Sequence, residues 1–231
     1  MRWGDWVLRE VCRQITLWRV QGVGDIPIAV NVSPLQLDCG DFGANVENLL
    51  TEFQVPPWCL ELELTDSLLI ASTEDTHKQL RWLRDMGVRI SIDDFGTGYS
   101  SLSYLHRLPV DAIKPDRSFV QSIDTDDMSC RLLQAMIGVA QRLGLDVVAE
   151  GVEREAQRDV LSASGCHLMQ GFLFSKPLPP SELEAVLTTR RSVAADVRIL
   201  PREDTRALAA VLAGGFDLPS GSIPTGVTLG R

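Results

Sequence analysis

Two adjacent carboxylates, Asp93 and Asp94, end the alternating run "VRISIDD" just before the small-residue loop "FGTGYSS". Neighbouring carboxylates repel, so the pair costs free energy unless a cation lies close to both. Other apolar runs end in polar groups of a matching kind: Asn31, Glu63, Lys114, Glu150 and Gln170. Carboxylate and amide oxygens are hard donors that suit Mg2+ or Mn2+ rather than zinc or copper. Asp94 can reach a second cation about 4 Å from the first, the separation used in phosphodiester hydrolysis. Lys114 supplies a compact positive charge for a phosphate oxygen or an attacking water. Gly96 and Gly98 let the following backbone bend close to a ligand.

Each group also has a plainer reading. An isolated Asp-Asp pair is usually a solvated turn. Glu61 and Glu63 share one strand face and suit surface ion pairs, and Glu153 suits the first turn of a helix, where the dipole favours negative charge. His77, His106 and His167 lack metal-ligand spacing. Trp3, Trp6, Trp18, Trp58 and Trp82 read as packing residues. What favours a site is recurrence: six strand ends each carry a suitable polar group.

The elements that must present these groups alternate. Helical periodicity over Trp3–Gln21 puts Trp6, Val7, Val11, Ile15 and Trp18 on one face. Strands are expected at Ile26–Val32, in "CLELELTDS", "VRISIDD", "VDAIKPD" and "DVVAEG", and in "HLMQGFLFS". Between them fall helices in "DFGANVENLLTEFQ", "TEDTHKQLRWLRDMG", "SLSYLHRL", "SCRLLQAMIGVAQRLG" and "REAQRDVLSASG", with a last one in "PPSELEAVLTTR" capped by Ser181. Alternating strands and helices mean a parallel α/β sheet with crossover helices. Polar strand ends are the mark of a (β/α) TIM-like barrel, whose site lies at the C-terminal face. An open doubly wound sheet is the rival.

The 231 residues divide into a domain over 1–191 and a tail over 192–231 whose Gly, Pro and Ser content makes it partly disordered. The net charge of −9 argues against a nucleic-acid polymer as partner, because such a surface needs clustered Lys and Arg. No run of eighteen apolar residues spans a membrane, and "MRWGDWVLRE" lacks a signal-peptide layout. Five cysteines, odd in number and with no CxxC pair, suit reduced thiols in the cytoplasm.

The segments "NVSPLQL", "LELELTDS", "SIDDFGTGYSSLSYL", "IKPDRSFV", "VAEGVE" and "QGFLFSKPLP" follow one another as the signatures of the EAL-domain family do, and over about residues 3–190 the sequence resembles that family. The resemblance implies a (β/α)8-like barrel, two divalent cations, and hydrolysis of cyclic di-GMP to linear pGpG. It implies Asn31, Glu63, Asp93 and Glu150 as ligands of one metal and Asp94 as ligand of the second. Lys114 and Glu150 take catalytic places, Lys114 holding or helping to deprotonate the attacking water. Asp116 and Gln170 take substrate-binding places. The loop from Phe95 to Ser101 resembles one that places the aspartates and borders a homodimer interface.

Three departures shape the expectation. No Glu-Ala-Leu followed by arginine lies near the start, which resembles the helix before the family's third strand; the barrel is therefore expected to be incomplete, with about six of eight strands and one metal ligand fewer. A fragment and a late-assigned start both account for this. Asp66 stands where the family has a loop-anchoring, catalytic glutamate, and Pro115 removes a backbone donor beside Lys114. The alternative to an enzyme is a catalytically degenerate module that binds cyclic di-GMP or a protein. A third reading is a remnant unable to fold alone.

Overall fold

A computed structural model describes residues 3–37, 40–66, 73–96 and 105–196. The chain runs α1 (Trp3–Val20), β1 (Ile28–Asn31), α2 (Pro34–Leu37), α3 (Phe42–Glu52), a 3-10 turn (Pro57–Cys59), β2 (Leu60–Thr65), α4 (Glu74–Asp85) and β3 (Arg89–Phe95). It continues with β4 (Ala112–Pro115), α5 (Arg117–Gln121), α6 (Asp127–Arg142), β5 (Asp146–Ala149), α7 (Glu155–Ala163), β6 (Leu168–Met169) and α8 (Pro180–Asp196).

The six strands lie in sequence order and pair in parallel, an α/β half-barrel. The strand alternation sorts the residues. Ile28, Val30, Leu60, Leu62, Leu64, Ile90, Ile92, Ile113 and Val147 are buried in one continuous core with apolar residues of the helices. The opposite face carries Asn31, Glu61, Glu63, Arg89, Ser91, Asp93, Lys114 and Asp146. At the N-terminal end of that face Arg89 bridges Asp146 (2.9 Å) and Glu61 (3.5 Å). Glu61 is thus held inside the half-barrel by Arg89, while Glu63 turns to a different partner; neither makes the surface pair its sequence position suggests.

Several boundaries follow from local chemistry. Thr73 caps α4, its hydroxyl accepting from the Thr76 N–H, with Glu74 and Asp75 in the first turn and Arg84 in the last. Packing replaces propensity for α1, where Leu8, Val11, Cys12, Ile15 and Trp18 are buried. Trp58 and Trp82, expected inside, are 46% and 39% exposed. The strand expected in "HLMQGFLFS" is only two residues long. Gly171 ends it at φ +156, and a Cβ there would lie 2.2 Å from the Val152 carbonyl oxygen, so the chain must turn where it meets the β5 end. Helix α8 begins at Pro180, so Ser181 lies inside its first turn rather than at a cap, and it runs past Arg191 to Asp196. The first half of the helix expected in "SLSYLHRL", residues 101–104, and all of 197–231 lie outside the described residues.

Candidate active site

Six strand ends bring the groups together. Lys114, at the end of β4, is almost fully buried, and its ammonium donates to Glu63 from β2 and, at 2.8 Å, to Glu150 just past β5. Glu63 is itself buried and also accepts from the Asn31 amide at 3.1 Å. Asp93, from β3, lies among the same charges. Its carboxyl is pushed up to about 7, first by burial and then by Glu150 and Glu63, against the opposing pull of Lys114. Burial also raises Glu63, while Lys114 counters it. Burial works to strip the proton from Lys114, but Glu63 and Glu150 win and hold it well above its ordinary value. Lys114 is therefore a fixed ammonium: it can orient a water or a phosphate oxygen, and in this arrangement it is not a base.

Adjacent strand residues normally point to opposite faces, so Asp93 and Asp94 reach one site only if the alternation breaks. It does. The β3–β4 register is Ser91↔Ala112 and Ile92↔Ile113 but then Phe95↔Pro115, one extra residue on β3. Asp94 takes up the bulge at φ +52, and its N–H donates to its neighbour, the Asp93 carboxylate, at 3.0 Å. A non-glycine residue there costs on the order of 1 kcal/mol, a strain that clusters at functional sites. Asp94 is exposed, and its carboxyl is raised by burial of its surroundings and by Asp116, with Glu150 and Asp66 adding to it. Asp116 is fixed as the N-cap of α5, accepting from the Ser118 N–H at 2.8 Å. Asp66 is buried immediately after β2.

Of the residues expected from the sequence, Asn31, Glu63, Lys114, Glu150 and Asp93 thus form one cluster, and Asp94, Asp116 and Asp66 a second one adjoining it. Gln170 sits at the rim, its N–H donating to the Ala149 carbonyl (2.8 Å) and its carbonyl accepting from Val152 (3.0 Å). Residues 97–101 of the expected loop lie outside the described residues. The sequence reading missed Gln157, a fully buried polar residue beside the site. Its signal was there: a glutamine at the third position of a helix, the place from which a side chain reaches back to cap the first turn.

The donor set fits a divalent cation. Glu63, Asp93 and Glu150 outnumber the one ammonium, and burial first, with Glu150 and Glu63 adding to it, disfavours the charge on Asp93. Lys114 stands between Glu63 and Glu150, so among the described residues no three carboxylates or other His, Cys, Asp or Glu groups are already drawn around one point.

Comparison with known proteins agrees with the fold. The family model described as EAL domain matches residues 2–177. The cyclic di-GMP phosphodiesterase NbdA of Pseudomonas aeruginosa is 44% identical over 191 residues, 83% of this chain and 24% of that protein. This chain spans about a quarter of the length of the curated relatives it matches. Among solved structures, the PaMucR phosphodiesterase in complex with c-di-GMP is similar at TM-score 0.73 and 43% identity, covering 78% of this chain and 73% of that one. The Klebsiella pneumoniae BlrP1 manganese/cy-diGMP complex is similar at TM-score 0.65 and 31% identity, covering 72% and 43%. With its parallel half-barrel, its strand-end carboxylates and a family match over most of its length, this chain belongs to the EAL-domain family.

Proposed function

We propose that this chain is a metal-dependent phosphodiesterase that hydrolyses cyclic di-GMP to linear pGpG. The observation that carries the reading is the meeting of Glu63, Asp93 and Glu150, from three strands, around the buried ammonium of Lys114. Cyclic di-GMP is the molecule named for the NbdA and MucR relatives, and BlrP1 holds it with manganese.

Asn31, Glu63, Asp93 and Glu150 would hold one divalent cation, Mg2+ or Mn2+, and Asp94 a second. Bound there, such cations lower the pKa of a coordinated water and offset the charge of a phosphodiester. The chain's own groups do the rest. Lys114 keeps its proton and orients the water or a phosphate oxygen by hydrogen bonding. The bulge at Asp94 aims both aspartates at the same phosphate. Asp116, the N-cap of α5, and Gln170, just past β6, contact the substrate. Asp66, buried after β2, anchors the loop following β3. Catalysis of this kind is positioning and charge stabilisation, and misplacing a group by about 1 Å costs on the order of 100-fold in rate.

A homodimer and a cytoplasmic location belong to the same proposal. In support of the second, no helix among the described residues is long and apolar enough to cross a membrane, and Cys12, Cys59, Cys130 and Cys166 are free thiols. A second reading is a module that binds cyclic di-GMP without cutting it. The Lys114 bridge favours it, because the ammonium already satisfies Glu63 and Glu150.

The test is incubation of the chain with cyclic di-GMP and Mn2+, following pGpG by chromatography, with Asp93→Asn alongside. Product that vanishes with the variant supports the enzyme. Tight nucleotide binding without product, from a cooperatively melting chain, supports the binding module.

A further inference from the structure

We propose that Gln157 is a positioning residue that sets Glu150 against Lys114 and so governs divalent-cation affinity at the strand ends; this rests on the reading that these carboxylates hold the cation. Glutamine has two acceptor sites and two donors. Gln157 is fully buried and uses all of them. Its Oε1 accepts from the N–H groups of Glu153 (2.8 Å) and Arg154 (2.9 Å). Its Nε2 donates to the carbonyls of Val120 (3.1 Å) and Gln121 (3.3 Å).

These partners belong to two different strand ends. Glu153 and Arg154 close the segment that begins at Glu150. Val120 and Gln121 end α5, the helix that starts three residues after Lys114. The β4–β5 pairing stops at Ala112↔Asp146 and Ile113↔Val147, short of both site residues. Pro115 has no N–H with which to extend it. Beyond the ladder the two strand ends are therefore joined by side chains: the buried Lys114 ammonium donates to Glu150, and one layer out the fully buried Gln157 ties the segment after β5 to the helix after β4. Gly151 lets the same segment lie flat on α5, since a Cβ there would come within 3.2 Å of the Arg117 Cβ. Arg154 reinforces the join from the surface, donating to the Gln121 carbonyl at 2.7 Å and to Asp124 at 2.6 Å.

Gln157 touches neither Glu150 nor Lys114 by hydrogen bond. It acts by fixing the backbone that carries one relative to the helix that follows the other. Groups that orient metal ligands from one layer out change metal affinity by about 10- to 100-fold when removed. Gln157→Glu is the informative change. It retains the acceptor for Glu153 and Arg154 but, ionised, cannot donate to Val120 and Gln121, so only the tie to α5 is cut.

The experiment is a Mn2+ titration of the full chain at pH 8, read by electron paramagnetic resonance, on the parent, Gln157→Glu and Leu161→Ala. Leu161 is a buried residue one turn further along the same helix whose apolar side chain makes none of the tie's hydrogen bonds, so its variant controls for lost packing and stability. The expected result is at least tenfold weaker Mn2+ binding for Gln157→Glu and binding within threefold of the parent for Leu161→Ala. Binding within threefold for Gln157→Glu overturns the proposal, and so does equal weakening in Leu161→Ala, which would make the effect structural. If Gln157→Glu does not melt cooperatively, Gln157→Asn replaces it under the same thresholds, its shorter stem being unable to span both partners. A parent that binds no Mn2+ overturns the cation reading itself, and this proposal with it, and is recognised from the parent titration alone.

Discussion

Asp93→Asn should stabilise the chain when no metal is present. The substitution is close to isosteric, and the asparagine Oδ1 can still accept from the Asp94 N–H. What it removes is a charge that burial disfavours and the neighbouring Glu150 and Glu63 disfavour further. Moving a carboxyl from its ordinary 3.8 to about 7 corresponds to about 4 kcal/mol against the ionised folded state. Asp93 is partly exposed, and solvent screening brings the expected gain to about 1–3 kcal/mol. The sign fixes the pH window. The folded carboxyl binds its proton more tightly than the unfolded one, so below about pH 4 both states are protonated and the charge costs nothing. As pH rises from 4 to 7 the unfolded chain ionises first and the parent loses stability; above 7 the loss is complete. Urea unfolding in the presence of a chelator, from pH 5 to 8, should show parent and variant diverging up to about pH 7 and keeping a constant gap above it. Saturating Mn2+ should reverse the order, adding about 4.1 kcal/mol to the parent at a thousandfold excess over Kd and nothing to the variant. Parallel curves across the whole range would refute the claim that burial and the neighbouring carboxylates disfavour the Asp93 charge in the folded chain.

Other substitutions test other parts of the account. Lys114→Met leaves Glu63 and Glu150 without their shared ammonium and should cost about 3–5 kcal/mol in metal-free urea unfolding. Gly171→Ala drives a methyl group into the Val152 backbone at a φ that side chains avoid, and should cost about 3 kcal/mol or more, seen as a large fall in the thermal midpoint. Thr73→Ala removes the cap of α4 and should cost about 1 kcal/mol in the same thermal assay, with no effect on Mn2+ binding.

Much of this was legible in the residues because the periods are clean. The alternation in "LELELT" and "RISID" marks strands, and the apolar spacing of α1, α4 and α6 marks helices whose bounds lie within a few residues of those expected. Thr73 and Gly87 punctuate α4 in the way their chemistry dictates. The site was legible for a different reason: polar residues at successive strand ends of a parallel sheet have few other places to go. What escaped depends on contacts between distant segments. No local pattern says that Asp94 leaves the strand alternation, because the bulge is defined against β4. The shortening of β6 comes from Gly171 meeting Val152, a collision invisible in "QGFLF" alone. Trp58 and Trp82 keep 46% and 39% of their surface exposed although tryptophan is highly buried on average, and nothing in their own neighbourhoods foretells it. Gln157 reads as an ordinary helix residue until the two strand ends it joins are side by side. The resemblance leaves Lys114 either to hold the attacking water or to help deprotonate it, and the ion pairs with Glu63 and Glu150, visible in no local pattern, favour the first.

Crystals of the chain grown with Mn2+, measured at a wavelength where manganese scatters anomalously, test the central claim most directly. The account predicts an anomalous peak within ligand distance of Asn31, Glu63, Asp93 and Glu150, with Lys114 drawn away from Glu63. It predicts a second peak beside Asp94, about 4 Å from the first. Fully occupied manganese bound elsewhere, with Lys114 still bridging Glu63 and Glu150, would contradict it.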